Sequence, residues 1–172
     1  TNNRSIDAEK FFRGMFETCL KSNEVIEAIE FSIPEKSSYQ KLPNPASRYA
    51  IIGVYVAKHK TGINVGVTGA KSCVYNDKDL AGALTKNFSS SAIDGVKISS
   101  SGMNTDIHAS SDYRANMVKA FAKKAVDAVK YPPYGKRGVV LARAQSYGFG
   151  FQEYLENKSN EIKLIIQIEH IE

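Results

Sequence analysis

The stretch Tyr49-Ala-Ile-Ile-Gly-Val-Tyr-Val-Ala-Lys58, followed closely by Thr61-Gly-Ile-Asn-Val-Gly-Val-Thr68, decides the fold. Its first half is rich in Ile, Val and Tyr, residues that suit a pleated, half-buried surface. In the second half Ile63, Val65 and Val67 alternate directly after Thr61-Gly62, which places one apolar face on a core. The two halves read as an antiparallel hairpin. The Gly66 to Gly69 segment marks close backbone packing or a strand end.

Upstream, Val25, Ile29, Phe31 and Ile33 fall largely at alternate positions and predict an extended segment stopped by Pro34. Between that segment and the hairpin, Pro43 and Pro45 each hold the preceding residue extended. Lys36 to Ser47 is therefore expected to be an ordered loop. Downstream, Leu80, Ala83 and Leu84 have helical spacing behind a capping Asp77, so a helix is expected over Asp77 to Asn87. A longer helix is predicted from Ser111 to Lys130. Ser110 or Ser111 caps it, Asp112 complements its positive end, and Met117, Phe121, Ala125 and Val129 form the apolar stripe. Pro132 and Pro133 end it. Residues 139 to 158 are expected to add a helix and Ile162 to Ile168 a strand. The chain thus falls into alternating strand and helix signals.

The bulk numbers exclude several classes. The chain has 172 residues, 42% hydrophobic and 24% charged, which suits an ordinary globular domain. Its longest apolar runs, such as Ala50 to Ala57, fall far short of the roughly 20 residues of a membrane span. A cytoplasmic location is the expectation. The net charge of +5 comes from 23 basic residues against 18 acidic ones, and the basic ones are scattered, so nucleic acid is not an expected partner. Lys119, Lys123 and Lys124 cluster on the long helix and read as a solvated face. Cys19 and Cys73 lack metal or redox spacing and are expected to be two buried free thiols.

No self-sufficient active site emerges. Nucleophilic catalysis needs a base within reach of the nucleophile, and His59, His108 and His170 stand in no triad pattern. His108, near Asp106 and just before a capped helix, suits either a proton-transfer group or an ordered contact at the helix start. There is no phosphate-binding glycine fingerprint, and Asp77 with Asp79 is better explained by capping than by metal. What stands out is Tyr39-Gln-Lys41-Leu-Pro-Asn-Pro-Ala-Ser-Arg48-Tyr49-Ala50. Its two prolines stiffen a segment that presents a cation and an aromatic ring, a layout suited to a planar anionic ligand. A surface lysine and a half-buried strand tyrosine also account for it.

Set side by side, these segments resemble a known family. Arg4-Ser-Ile6, Phe11-Phe12-Arg-Gly14, Thr18, Leu20, Glu24-Val-Ile26, Ile29 and Pro34 are similar to one particular stretch of the medium subunits of molybdenum hydroxylases, the carbon monoxide/xanthine dehydrogenase family. That stretch closes their FAD-binding domain and leads into their C-terminal domain. Tyr39, Lys41, Pro45-Ala-Ser-Arg48-Tyr-Ala50, Gly53-Val54, Thr68-Gly-Ala70, Asp106-Ile-His-Ala-Ser110 and Asp112-Tyr-Arg114 continue the resemblance in order. It covers roughly residues 4 to 130, and its strength is the colinear series rather than one motif.

The resemblance implies an α+β domain, an antiparallel β-sheet with helices packed on one face, like a carbon monoxide dehydrogenase flavoprotein C-terminal domain. Residues 1–22 would close the FAD-binding domain, 23–130 would form the C-terminal domain, and 131–172 would be a tail of uncertain origin. It further implies electron flow from a molybdenum centre on a large subunit, through 2Fe-2S clusters on a small subunit, to FAD and an external acceptor. By position, Ile26 resembles an apolar flavin contact, Lys41 the lysine near the isoalloxazine, and Tyr49 the aromatic that shields it. An ammonium there favours the anionic reduced flavin and raises its potential. The family's pyrophosphate loops lie upstream of the matching segment, so the chain is expected to be a fragment and inactive alone. The substrate belongs to the large subunit and is not readable here. The alternative is a non-catalytic protein-interaction domain.

Overall fold

A computed structural model describes residues 4–129 and 165–170 of the chain. The chain forms two compact units, one of Pro34–Gly135 and one of Thr1–Ile33 with Lys136–Glu172. Their architecture is α+β with antiparallel sheets.

The Pro34–Gly135 unit is built on the hairpin. Strand β6 (Ala50–His59) and strand β7 (Gly62–Thr68) pair antiparallel, with Val56 opposite Val65 and Val54 opposite Val67. Ile52, Val54, Val56, Val65 and Val67 project to one side and are fully buried. Helix α2 (Lys78–Lys86) and helix α3 (Ser111–Ala128) cover that side with Leu80, Leu84, Val118, Phe121, Ala122 and Ala125. Each such aliphatic side chain contributes roughly 1.5–3 kcal/mol on burial. Both helices start where the caps predict. Asp77 Oδ1 accepts from Leu80 N at 3.0 Å and Ser110 Oγ from Tyr113 N at 3.3 Å. The buried face of α3 is broader than the expected stripe. It centres on Ala115, Val118, Ala122 and Ala125, leaves Met117 only partly covered, and includes Arg114.

Lys36 to Ser47 is not a loop throughout. Lys36–Pro43 is an eight-residue strand, β5, paired with β6 from Lys36–Lys58 to Pro43–Ala50. The extended backbone that proline imposes on its neighbour is itself strand geometry, and β5 is an edge strand, where a proline is tolerated. Hydrophobic alternation does not reveal it because two core-facing positions, Ser38 and Gln40, are polar and bond each other at 3.4 Å. The short strand β8 (Tyr75–Asn76) closes the far edge, giving the order β5-β6-β7-β8.

The lysines of α3 differ from the expected solvated face. Lys119 Nζ donates to Asp94 O at 2.7 Å and Val96 O at 2.9 Å, and Lys123 pairs with Asp94. They fasten the segment after the 3-10 turn at Ser90–Ile93 to the helix. Cys73 is half-buried and Cys19 buried, and both are free thiols.

The other unit contains a three-stranded antiparallel sheet ordered β1-β9-β4, with β1 at Arg4–Asp7, β4 at Glu24–Ile29 and β9 at Ile165–His170. The expected strand at Ile162 to Ile168 thus coincides in part with β9, whereas the helix expected over 139–158 lies outside the described residues. Strand β4 ends sooner than the alternation suggests: Ile29 faces Ile166 near the start of β9, and Phe31 and Ile33 lie beyond it, exposed. Helix α1 (Ala8–Phe11) leads into the pair β2 (Phe12–Gly14) and β3 (Glu17–Thr18). Phe11 and Cys19 make the small core, joined by Ile6, Leu20 and Ile26. Buried Glu24 accepts from Arg4 Nη2 at 2.6 Å and from the Lys21 amide at 2.8 Å, tying the chain across this core.

Candidate functional site

The site residues gather at the corner where β5 turns into β6. The turn is closed by Asn44. Its side-chain Oδ1 accepts from the amides of Ala46 at 2.9 Å and Ser47 at 3.3 Å. Its backbone amide donates to Tyr49 O at 2.7 Å, and its carbonyl accepts from Arg48 N at 2.9 Å. Arg48 takes φ 62, a left-handed conformation that side chains seldom adopt. Lys41, projecting from β5, donates through Nζ to Arg48 O at 3.1 Å. Tyr49, next in the chain after Arg48, is 80% exposed.

Behind the corner lies a buried clamp. The guanidinium of Arg114, 3% exposed, donates through Nη1 to Ile51 O at 2.8 Å and Gly69 O at 2.9 Å. Nη2 meets Asp106 Oδ2 at 2.6 Å. Gly69 is needed there because φ is 78 and a Cβ would lie 2.5 Å from Ile51 O and 2.7 Å from Ala50 O. A cleft of about 290 Å³ opens between corner and clamp, lined by Asn44, Ser47, Tyr49, Asn104, His108 and Arg114 among others.

Asp106 Oδ1 accepts from His108 N at 2.9 Å and Ala109 N at 3.0 Å. These backbone bonds, first that of His108, hold its carboxyl below the usual carboxylate range, and Arg114 adds to the effect. The contact of Asp106 with His108 is made through the backbone, and the ring Nδ1 of His108 lies 3.4 Å from Asn44 Nδ2. Of the two readings of His108, the geometry is that of an ordered contact at the helix start. Because the folded carboxyl binds its proton less tightly than the unfolded one, its stabilising effect is whole above the ordinary carboxylate pKa of about 4. It is lost as pH falls through the lower folded value. Unfolding midpoints measured across that acid range should therefore fall more steeply for the wild type than for Asp106→Asn; parallel curves would count against it.

The structure brings Lys41 and Tyr49 to one corner. Ile26 belongs to the other unit, on β4, half-buried against the Phe11 and Cys19 cluster. Two residues of this region escape sequence reading as site residues, Asn44 and Arg114. The Asn44-Pro45 pair is a turn signal. Arg114 betrays itself only as a cation four residues before Val118 on the apolar stripe. Among the described residues no cluster of three or more metal-ligating side chains occurs, and no helix is long and apolar enough to cross a membrane.

On the face of the sheet opposite the helices, the register sets Tyr39 opposite Tyr55 and Lys41 opposite Gly53. A Cβ at Gly53 would strike Tyr39 Oη and come within 2.6 Å of Thr68 Oγ1, so glycine lets the Tyr39 side chain lie close to the sheet. Chemically, the corner and this face offer exposed aromatic surface with one ammonium. That arrangement can bind and orient a planar, electron-rich group.

The same fold occurs in solved oxidoreductase structures. A chain of quinoline 2-oxidoreductase from Pseudomonas putida 86 superposes with a TM-score of 0.60 at 18% identity, over 73% of this chain and 48% of that one. A chain of reconstituted CO dehydrogenase from Oligotropha carboxidovorans gives 0.52 at 14% identity, over 71% and 47%. A third, from the Hydrogenophaga pseudoflava carbon monoxide dehydrogenase that lacks the Mo-pyranopterin moiety of the molybdenum cofactor, gives 0.51 at 20%, over 71% and 47%. At these identities the shared property is the fold, and the chain spans about half the length of the chains it matches. No family model and no curated protein matches the sequence.

Proposed function

We propose that this chain is the C-terminal part of the FAD-binding medium subunit of a cytoplasmic molybdenum hydroxylase, and that it supplies one wall of the flavin site. The observation that carries this reading is the corner itself: Lys41 and an 80% exposed Tyr49 on a fold shared with carbon monoxide dehydrogenase and quinoline 2-oxidoreductase chains. The residues fit the group. Tyr39 and Tyr49 are exposed aromatics, and the Lys41 ammonium is the kind of cation a flavin's electron-rich edge calls for.

On this reading residues 1–22 close the FAD-binding domain, 23–130 form the C-terminal domain, and 131–172 are a tail of uncertain origin whose strand Ile165–His170 pairs with β1 and β4. FAD, when bound, supplies redox chemistry between 2Fe-2S clusters on a small subunit, fed by the molybdenum centre of a large one, and an external acceptor. Lys41 places positive charge where electron density accumulates and so stabilises negative charge there. Tyr49 covers a ring face and restricts approach to it. The chain alone is expected to be inactive.

The intact natural polypeptide should purify with a flavin absorption spectrum, together with iron–sulfur and molybdenum subunits. Lys41→Met should weaken FAD binding about tenfold, the factor that follows from roughly 1.4 kcal/mol of lost interaction. A colourless protein that takes up no added FAD would defeat the reading.

A further inference from the structure

We infer that Asn44 is the positioning residue of the corner, the side chain that fixes where the Lys41 ammonium and the Tyr49 ring stand toward a flavin. The inference rests on the flavin reading above. Asn44 lies between Pro43 and Pro45, neither of which carries a backbone N–H to brace the turn. It is only 9% exposed, and its hydrogen bonds reach Ala46, Ser47, Arg48 and Tyr49. An asparagine carbonyl bonding the amides that follow it is a side-chain mimic of a backbone turn. Its Nδ2 lies 3.4 Å from His108 Nδ1, a contact that suits donation to an unprotonated ring nitrogen and leaves Oδ1 turned toward the amides.

Arg48 holds φ 62, and a bulky residue keeps that conformation only where its surroundings over-determine it. The backbone bonds of Asn44 with Arg48 N and Tyr49 O hold it there, and the Asn44 side chain sets the turn that lets them form by accepting from the amides of Ala46 and Ser47. Through that inverted peptide the Arg48 carbonyl meets Lys41 Nζ at 3.1 Å. A lysine on a flexible four-carbon stem samples many rotamers, and this carbonyl restricts it to one region. Asn44 thus acts on a ligand through Lys41, without touching it.

The test is a double-mutant cycle in the intact polypeptide, reading FAD affinity by fluorescence titration and, separately, amide exchange at Ala46 and Ser47. Asn44→Ala should weaken FAD about tenfold with Lys41 present and less than about twofold in the Lys41→Met background. Asn44→Ser, whose hydroxyl can accept from the same amides, should restore most of the affinity. Val118→Ala, a core truncation on α3, should lower thermal stability and leave FAD affinity unchanged, which a merely structural role for Asn44 would share. If Asn44→Ala does not fold, Asn44→Gln replaces it, since its extra methylene prevents closure of the turn. Equal losses in both backgrounds, or no loss with Lys41 present, overturn the inference. Wild-type FAD uptake together with exchange separates the two possible failures. A wild type that takes up no FAD condemns the flavin reading, whereas a wild type that binds FAD, with Asn44→Ala amides that stay slow or that speed up without loss of affinity, condemns the assignment to Asn44.

Discussion

Gly69→Ala is expected to destabilise the Pro34–Gly135 unit by about 3 kcal/mol or more, with a fall in the denaturant midpoint large enough to leave part of the protein unfolded at rest. Two costs combine at this residue. Its φ of 78 lies in the left-handed region, which disfavours any side chain. The added Cβ also lies 2.5 Å from Ile51 O and 2.7 Å from Ala50 O, backbone atoms that yield only if the end of β6 moves. Such a movement displaces Ile51 O and Gly69 O from Arg114 Nη1, so strain at one atom spreads into the clamp. A variant within about 1 kcal/mol of wild type in urea would show that the β6 and β7 ends are not in this register.

Arg114→Met should lower stability by a similar amount, about 3 kcal/mol, which for a unit of this size corresponds to a drop in melting temperature of about 15 °C. The loss does not come from the ion pair with Asp106 alone, because Asp106 is 46% exposed in its side chain and water can replace the arginine there. It comes mainly from the carbonyls of Ile51 and Gly69, which lose their donors at a site where the guanidinium itself is 3% exposed. Arg114→Lys should recover little, since one ammonium lacks the planar fork that serves both carbonyls and the carboxylate together. Calorimetry on the two variants decides the point; a methionine variant melting within a few degrees of wild type would remove the clamp from the account.

These predictions turn on residues that differ in how visible they are. The hairpin of β6 and β7 and both helix starts were readable because each follows from local chemistry, whereas the α+β class came with the family resemblance. Alternation buries one face, Asp77 and Ser110 satisfy amides three residues on, and proline restricts its neighbour. Lys41 and Tyr49 were readable as candidates for the same reason: they flank two prolines and belong to a colinear resemblance. Their closeness at one corner, through Arg48 O, required coordinates.

Strand β5 hid behind polar residues on its core-facing side, because edge pairing supplies hydrogen bonds that hydropathy does not record. Lys119 and Lys123 looked like a solvated cluster, since nothing near them in sequence announces the carbonyls and carboxylate of Asp94 and Val96.

What the sequence by itself determined, then, is the central hairpin, the two capped helices, the sheet face that must be buried, and the segment holding Lys41 and Tyr49. Only the tertiary structure decided that Lys36–Pro43 is a strand, that Asn44 and Arg48 shape the turn behind Lys41, and that Arg114 joins Ile51, Gly69 and Asp106. The physical reason is distance along the chain. Periodicity and capping act over a few residues, whereas Arg114 finds its carbonyls 63 and 45 residues away, where only the completed fold brings donor and acceptor together.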